Sequence, residues 1–200
     1  MEKALERLSA MVHKIEDVFR IAQVAFNKHK MAEIKKAEAL AQDVHDEELD
    51  LTSRFFELSV TTSKAKLYTS IPGHLEKIVD NLEHMLHGIR KKIEERILFT
   101  EKVVGEFNEL FENIEALLKH LGDLILTGNP LLAQEVERLS YEITNNATEY
   151  ATQHEDRLIE GLCLPVALSS CIHMLDAIKG ISWHAREIAQ AFSQNNNSKA

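Results

Sequence analysis

The sequence predicts an all-α protein of six long helices, arranged as two repeated antiparallel three-helix bundles in one compact domain. Only 7 of the 200 residues are Gly and 3 are Pro, and a chain so poor in both favours helix over sheet. Apolar residues recur at steps of three and four along most of the chain, as they do on the buried face of a helix. No segment alternates apolar and polar residues over a convincing length, so we expect no strands.

One sequence pattern, a proline followed by apolar residues at helical spacing, occurs twice, 93 residues apart. Aligning Pro72 with Pro165 matches the apolar positions that follow each proline, and it places the carboxylate of Glu83 on that of Asp176. A repeat of this length in a chain of 200 residues indicates two copies of one helical unit. We therefore expect function to depend on what the two copies present together.

Three helices are predicted in the first copy, residues 1–94. The first has an apolar stripe over residues 8–26, and the second has one over residues 34–58. Residues 61–70 are predicted to form a polar linker. Pro72 then begins the third helix, at a first-turn position where its missing N–H costs nothing.

The second copy, residues 95–194, repeats this order. Its first helix has the most regular stripe of the chain, over residues 103–124. Gly128-Asn129-Pro130 ends that helix and caps the next one, whose stripe covers residues 132–150. Pro165 begins the last helix.

Four remaining features have simple structural interpretations. The charged run 90–96 is predicted to be solvated helix surface where the copies join, and residues 195–200 are predicted to be a disordered tail. Cys163 and Cys171 lie among apolar residues, which indicates two buried, reduced thiols in a cytoplasmic protein.

Charge and hydropathy exclude several classes of protein. The formal net charge of −9 argues against nucleic-acid binding and against adsorption to an anionic membrane. The most apolar stretch, residues 161–178, is too short and too interrupted to cross a bilayer. Met1 leads directly into charged residues, so we expect no secretion signal. No phosphate-binding loop or catalytic motif is present, and we expect no enzyme.

Two groups of residues on the Pro-started helices could bind a metal ion. Glu83 and His87 are four residues apart, so a carboxylate and an imidazole lie on one helix face. His173 and Asp176, three apart, repeat this arrangement in the second copy. A solvated, charged helix face explains the same spacing, and this alternative stays open.

Two polar residues interrupt apolar stripes. Glu48 and Asn146 lie where each helix should face the core, and a polar group there must be bonded or ligated. They either fix the register of their helices or line a polar cluster inside the bundle.

The doubled unit, the proline before each third helix and the acidic residue on that helix resemble the PhoU superfamily of phosphate-uptake regulators, which includes PhoU-like accessory proteins of Pit-type permeases. The resemblance covers residues 10–192. The family pattern on the third helix is Glu/Asp-x-x-x-Asp. Residues 83–87 keep the first acid and have His in place of the last Asp, whereas residues 176–180 keep the first acid alone.

The resemblance also implies acids on the second helix of each copy, where residues 42–46 and residues 142–146 are the counterparts. These segments contribute Asp46 and Glu142 to the candidate site. Family metal clusters use these acidic faces, so the implied cofactor is a divalent or iron/zinc-type metal ion. The resulting candidate set is Glu83, His87, His173, Asp176, Asp46 and Glu142.

The function that the resemblance implies is non-enzymatic regulation of phosphate transport or signalling by protein–protein docking. The implied partner is a phosphate permease, an ABC-transporter ATPase or a sensor kinase, with no nucleic acid and no membrane insertion. The protein would be cytoplasmic and would reach the inner membrane through its transporter partner. A metal-binding helical bundle and a generic helical scaffold remain as alternatives, and a homodimer stays open.

Overall fold

The computed structural model describes residues 1–197, and within them it contains six long helices, one short helix and no strand. The helices are α1 Glu2–Lys28, α2 Met31–Thr61, α3 Ser63–Tyr68, α4 Ile71–Glu94, α5 Glu101–Thr127, α6 Pro130–Ile159 and α7 Pro165–Asn197. The predicted all-α fold is confirmed. Helix α7 extends to Asn197. Residues 198–200 lie outside the described residues, and the tail predicted at 195–200 stays a prediction.

The junction between α5 and α6 shows how the sequence sets helix ends. Gly128 adopts the left-handed conformation (φ 64°) that ends α5, as glycine does without strain. The side chain of Asn129 then caps α6 by accepting a hydrogen bond from the backbone N–H of Leu131 at 3.0 Å. The boundary predicted at Gly128-Asn129-Pro130 is confirmed.

The predicted linker at residues 61–70 contains the short helix α3. Ala65 and Tyr68 of this segment are buried, and the ring of Tyr68 stacks on that of Phe192 in α7, with centroids 4.6 Å apart. The polar-linker prediction is therefore wrong. Two buried residues are too few to show as periodicity, and the partner that buries Tyr68 is distant in sequence.

Helix packing follows the pattern expected of two related copies. Helix α1 packs along α5 and α4 packs along α7, while α2 and α6 each pack on helices of their own half. The packed helix pairs of the first half, α1 with α2 and α2 with α4, therefore correspond to α5 with α6 and α6 with α7 in the second half. The copy boundaries at 94 and 95 stay a prediction.

Two glycines set the spacing of α4 and α7. A Cβ atom added to Gly88 would lie 2.7 Å from the Cγ of Met174, and one added to Gly180 would overlap the side chain of Asn81. Each glycine leaves a notch that a side chain of the other helix fills, so the two helices approach closely along this contact.

Aromatic rings fill the core between α1 and α5. The ring of Phe26 lies 5.2 Å, centroid to centroid, from the rings of both Phe107 and Phe111. Phe99, from the connection between α4 and α5, adds a ring 6.0 Å from Phe26. This cluster ties the two halves to the segment that joins them.

The run 90–96 is not all solvated, because Lys92 is only 3% exposed. Its ammonium donates to the backbone carbonyl of Phe26 at 3.2 Å and to Nε2 of His29, and it lies over the ring of Phe99. Lys92 thus satisfies a carbonyl at the end of α1, where cations are favoured. Burial lowers the pKa of Lys92 to about 8. The prediction is wrong at this residue because the end of α1 supplies the hydrogen-bond acceptors that a buried ammonium needs.

Candidate functional site

A groove of about 440 Å³ lies between α4 and α7. Three of the predicted site residues line it: His87 from α4, and His173 and Asp176 from α7. Its other polar lining residues are Asn81, His84, Lys91 and Ser170. Among the described residues, the group that places three ligand atoms within 4.8 Å of one another lies outside this groove. The groove itself brings His87, His173 and Asp176 onto one surface without gathering their ligand atoms that closely.

Glu83 does not face this groove but lies toward α2. Its Oε2 lies 3.5 Å from Nε2 of His45, and the Nδ1 of His45 lies 3.6 Å from Oε1 of Glu76. His45, Asp80 and Glu83 place one ligand atom each within 4.8 Å of one another, and all three are half-buried. We call these three residues the His45 cluster.

The donor atoms of the His45 cluster fit one divalent cation. One imidazole and two carboxylates suit Zn²⁺, Mn²⁺ or Fe²⁺. The ammonium of Lys77 lies 2.7 Å from Oδ2 of Asp80, so an ion must displace it or share that carboxylate. The cluster has too few ligands for the multinuclear centres that the resemblance implies.

Asp46 and Glu142 join neither the groove nor the His45 cluster. Asp46 is exposed and accepts a hydrogen bond from Gln42 at 2.9 Å, and Glu142 accepts one from Arg138 at 2.6 Å. Asp46 lies one residue after His45, and successive side chains of a helix point about 100° apart. The sequence analysis does not include His45 among the candidate ligands. The available signal is that His45 directly follows Val44, a residue of the apolar stripe, and therefore lies at the edge of the buried face of α2.

The two polar residues in apolar stripes are half-buried and bonded. Glu48 accepts a hydrogen bond from Thr52 on its own helix. Asn146 donates to Oε1 of Glu109 at 3.3 Å, and Tyr150 donates to Oε2 of the same carboxylate at 2.8 Å. Asn146 therefore joins α6 to α5, which agrees with the prediction that it fixes the register of its helix.

A buried ionic network joins α5 to α6. Both terminal nitrogens of Arg157 donate to the carboxylate of Glu106, at 2.6 and 3.3 Å. His154 lies beside them, with Nδ1 3.3 Å from Arg157 and Nε2 3.3 Å from Glu106 at an angle that makes no hydrogen bond. Burial lowers the pKa of His154, which outweighs the raising effect of Glu106, so the imidazole is neutral at pH 7. No motif in the sequence indicated this network.

A cavity of about 110 Å³ adjoins this network, and Cys163 and Cys171 both line it. Cys171 is buried and Cys163 is half-buried, and both are free thiols. Burial raises the pKa of Cys171 to about 12, so its thiolate is scarce at neutral pH and the thiol is unreactive.

The outer face of α2 exposes three large apolar side chains. Leu49, Phe56 and Val60 are 71%, 68% and 76% exposed, and steps of seven and four place them on one face of the helix. We call them the exposed α2 patch. Matching residues 42–46 of α2 to 142–146 of α6, as in the sequence comparison, puts Glu149, Asp156 and Glu160 at the corresponding places. The patch is therefore a feature of the first copy alone.

The surroundings of the exposed α2 patch are acidic. Residues 43–57 include Arg54 as their one Lys or Arg. Cations from α1 neutralise two of the acids: Lys14 pairs with Glu47, and Arg7 pairs with Asp50. The carboxylates of this segment are Asp43, Asp46, Glu47, Glu48, Asp50 and Glu57. The exposed α2 patch is therefore an apolar surface bordered by negatively charged side chains.

No helix among residues 1–197 is both long enough and apolar enough to cross a membrane. No protein-family profile matches the chain, and no curated protein sequence matches it. Among solved structures it is similar to the crystal structure of PhoU from Pseudomonas aeruginosa. The TM-score is 0.89 at 14% sequence identity, over 98% of this chain and 97% of that one. The predicted PhoU-like fold is confirmed.

Proposed function

We propose that this protein regulates phosphate homeostasis as PhoU-like proteins do, by docking to a transport or signalling protein without catalysing a reaction. The similarity of fold extends over nearly the whole of both chains, which supports the same type of action. By the sequence resemblance, the partner is a phosphate permease, an ABC-transporter ATPase or a sensor kinase. In that case the protein is cytoplasmic and reaches the inner membrane through its partner.

The exposed α2 patch is the observation that carries this proposal. Large apolar side chains grouped on one helix face mark protein-interaction surfaces, and each contributes about 1.5 to 3 kcal/mol when fully buried. The acidic margin favours a basic partner, because complementary charge speeds encounter and selects the partner. A basic cytoplasmic loop with its own apolar residues fits both requirements.

Removing the patch is expected to weaken docking strongly. The triple variant Leu49→Ser, Phe56→Ser and Val60→Ser should bind the partner at least about tenfold more weakly, since burying even one of these side chains contributes about 1.5 kcal/mol or more and about 1.4 kcal/mol is a tenfold change. Co-purification with the phosphate permease, the transporter ATPase and the sensor kinase, each co-expressed in turn, measures this loss.

The control is a double variant, Leu131→Ser with Ile159→Ser, which removes two equally exposed apolar side chains from α6. It should bind as the unaltered protein does. Equal losses in both variants would mean that general surface hydrophobicity is responsible. If no transporter or kinase co-purifies and deletion causes no phosphate-linked phenotype, the proposed function is wrong.

Binding of one divalent cation is a second candidate function, and the His45 cluster favours it. Calorimetric titration with Mn²⁺, which carboxylate ligands suit, should show one site. The change His45→Gln with Glu83→Gln removes two of its three ligands, and loss of single ligands or their supports costs about 10 to 100-fold in affinity. The pair Asp46→Asn with Glu142→Gln removes two carboxylate charges outside the cluster, one more than the variant of the cluster loses, and should leave the affinity unchanged. A similar loss of affinity there would indicate nonspecific surface binding.

A further inference from the structure

Two histidines meet where α4 begins to pack on α7. His74, in the first turn of α4, and His184, in the middle of α7, have their Nδ1 atoms 3.0 Å apart. Their ring centroids are 5.3 Å apart and the planes are inclined by 52°. Both side chains are half-buried. The two residues come from different copies of the repeat, so no local sequence spacing predicts their contact.

This separation suits two neighbouring ligands of one metal ion. Histidine nitrogens bind first-row metals at about 2.0 to 2.1 Å, so ligands that subtend 90° to 110° at the ion are about 2.8 to 3.4 Å apart. The Nδ1 atoms already lie within that range. In the absence of an ion one Nδ1–H donates to the other Nδ1. Moving that proton to Nε2 leaves both Nδ1 lone pairs free for a metal.

The surroundings favour the neutral imidazoles that metals require. Burial lowers the pKa of His74. Burial, the neighbouring His74 and the ammonium of Lys77 together lower the pKa of His184 to about 4. Protons therefore do not compete with an ion at neutral pH. Glu187, three residues after His184 on α7, acts electrostatically on His74, and Asp80 acts electrostatically on His184, so a carboxylate lies in the surroundings of each imidazole.

We propose that His74 and His184 bind one first-row transition-metal ion, of the Ni²⁺, Cu²⁺ or Zn²⁺ class, and thereby bridge α4 to α7. Imidazole nitrogens select these ions, whereas the carboxylates of the His45 cluster also suit Mn²⁺ and Mg²⁺. The bridge joins the first copy of the repeat to the second. It goes beyond the proposed docking function, because it can exist with or without a protein partner.

The single tryptophan of the chain reports on this site. Trp183 is 45% exposed, and its ring lies 4.6 Å from that of His184 and 6.0 Å from that of His74. A Ni²⁺ ion held by the two histidines would lie close to the indole and quench its fluorescence. Titration with Ni²⁺ should therefore give saturable quenching with one ion per chain, and added Zn²⁺ should reverse it.

Variants separate this site from the other histidines. His74→Gln and His184→Gln should each raise the Ni²⁺ concentration needed for half-maximal quenching by about tenfold or more. His45→Gln with Glu83→Gln should leave that concentration unchanged, and so should His173→Gln. Bound Ni²⁺ should also raise the Tm of the unaltered protein but not that of His184→Gln. Quenching that persists in both of the first two variants, or that is lost with the His45 cluster, overturns the proposal. Absence of quenching overturns it as well and leaves a direct hydrogen bond between the rings.

Discussion

Replacing Arg157 with Met is expected to destabilise the protein by about 3 to 5 kcal/mol, because it removes both hydrogen bonds to the buried carboxylate of Glu106. Among the described residues, the one remaining cation, the exposed Lys102, has its Nζ 4.0 Å from that carboxylate and makes no hydrogen bond to it. Glu106 is 8% exposed and receives two hydrogen bonds from Arg157. The neighbouring His154 cannot compensate, since the same burial favours its neutral form. Urea unfolding followed by circular dichroism measures the free energy of unfolding directly.

Arg138→Met is the matched control. Arg138 also makes two ion pairs, with Glu135 and Glu142, but it is 56% exposed, and exposed pairs contribute about 0 to 1 kcal/mol. In addition, Arg157→Met combined with Glu106→Gln should cost less than the two single changes together, because no unpaired charge remains. Similar losses for Arg157→Met and Arg138→Met would show that the network makes no special contribution.

Phe26→Ala is expected to cost about 3 to 5 kcal/mol, the usual loss when a buried aromatic ring is removed. The ring of Phe26 contacts aromatic rings of α5 and of the connection after α4, and it lies under the ammonium of Lys92 at 4.7 Å. Its loss therefore leaves a cavity in the core and removes a cation–π contact. Thermal and urea unfolding should show the change in the same direction.

The chain supplies its own control in Phe56, which belongs to the exposed α2 patch. Phe56→Ala should change the free energy of unfolding by no more than about 0.5 kcal/mol, while it weakens docking to the partner. A large loss of stability on changing Phe56 would mean that the patch is covered within the folded protein, which would remove the basis of the docking proposal.

Helices were predictable because their signals are local. The stripes on α1 and α5 and the stop at Gly128-Asn129-Pro130 follow from residues within a few turns of one another. Tyr68 and Lys92 were misjudged because each is buried by a partner from another part of the chain. The ring of Phe192 in α7 covers Tyr68. The backbone carbonyl of Phe26, near the end of α1, accepts a hydrogen bond from Lys92.

The site was predictable in composition but not in arrangement. The repeat alignment matched Glu83 with Asp176, yet Glu83 lies toward α2 whereas Asp176 lines the groove between α4 and α7. Equivalent positions on two antiparallel helices need not meet the same neighbour when the residues of the copies differ. His45 and His184 acquire their roles through contacts between helices, which one sequence does not reveal.

The glycine notches on α4 and α7 determine what a partner encounters. A methionine seated opposite Gly88 and an asparagine seated opposite Gly180 block axial sliding of one helix along the other. A displacement of α4 along its axis therefore moves α7 with it, so the two halves of the chain shift together. Helices held in register by these two contacts have less freedom to lose when a partner binds across them, which lowers the entropic cost of association.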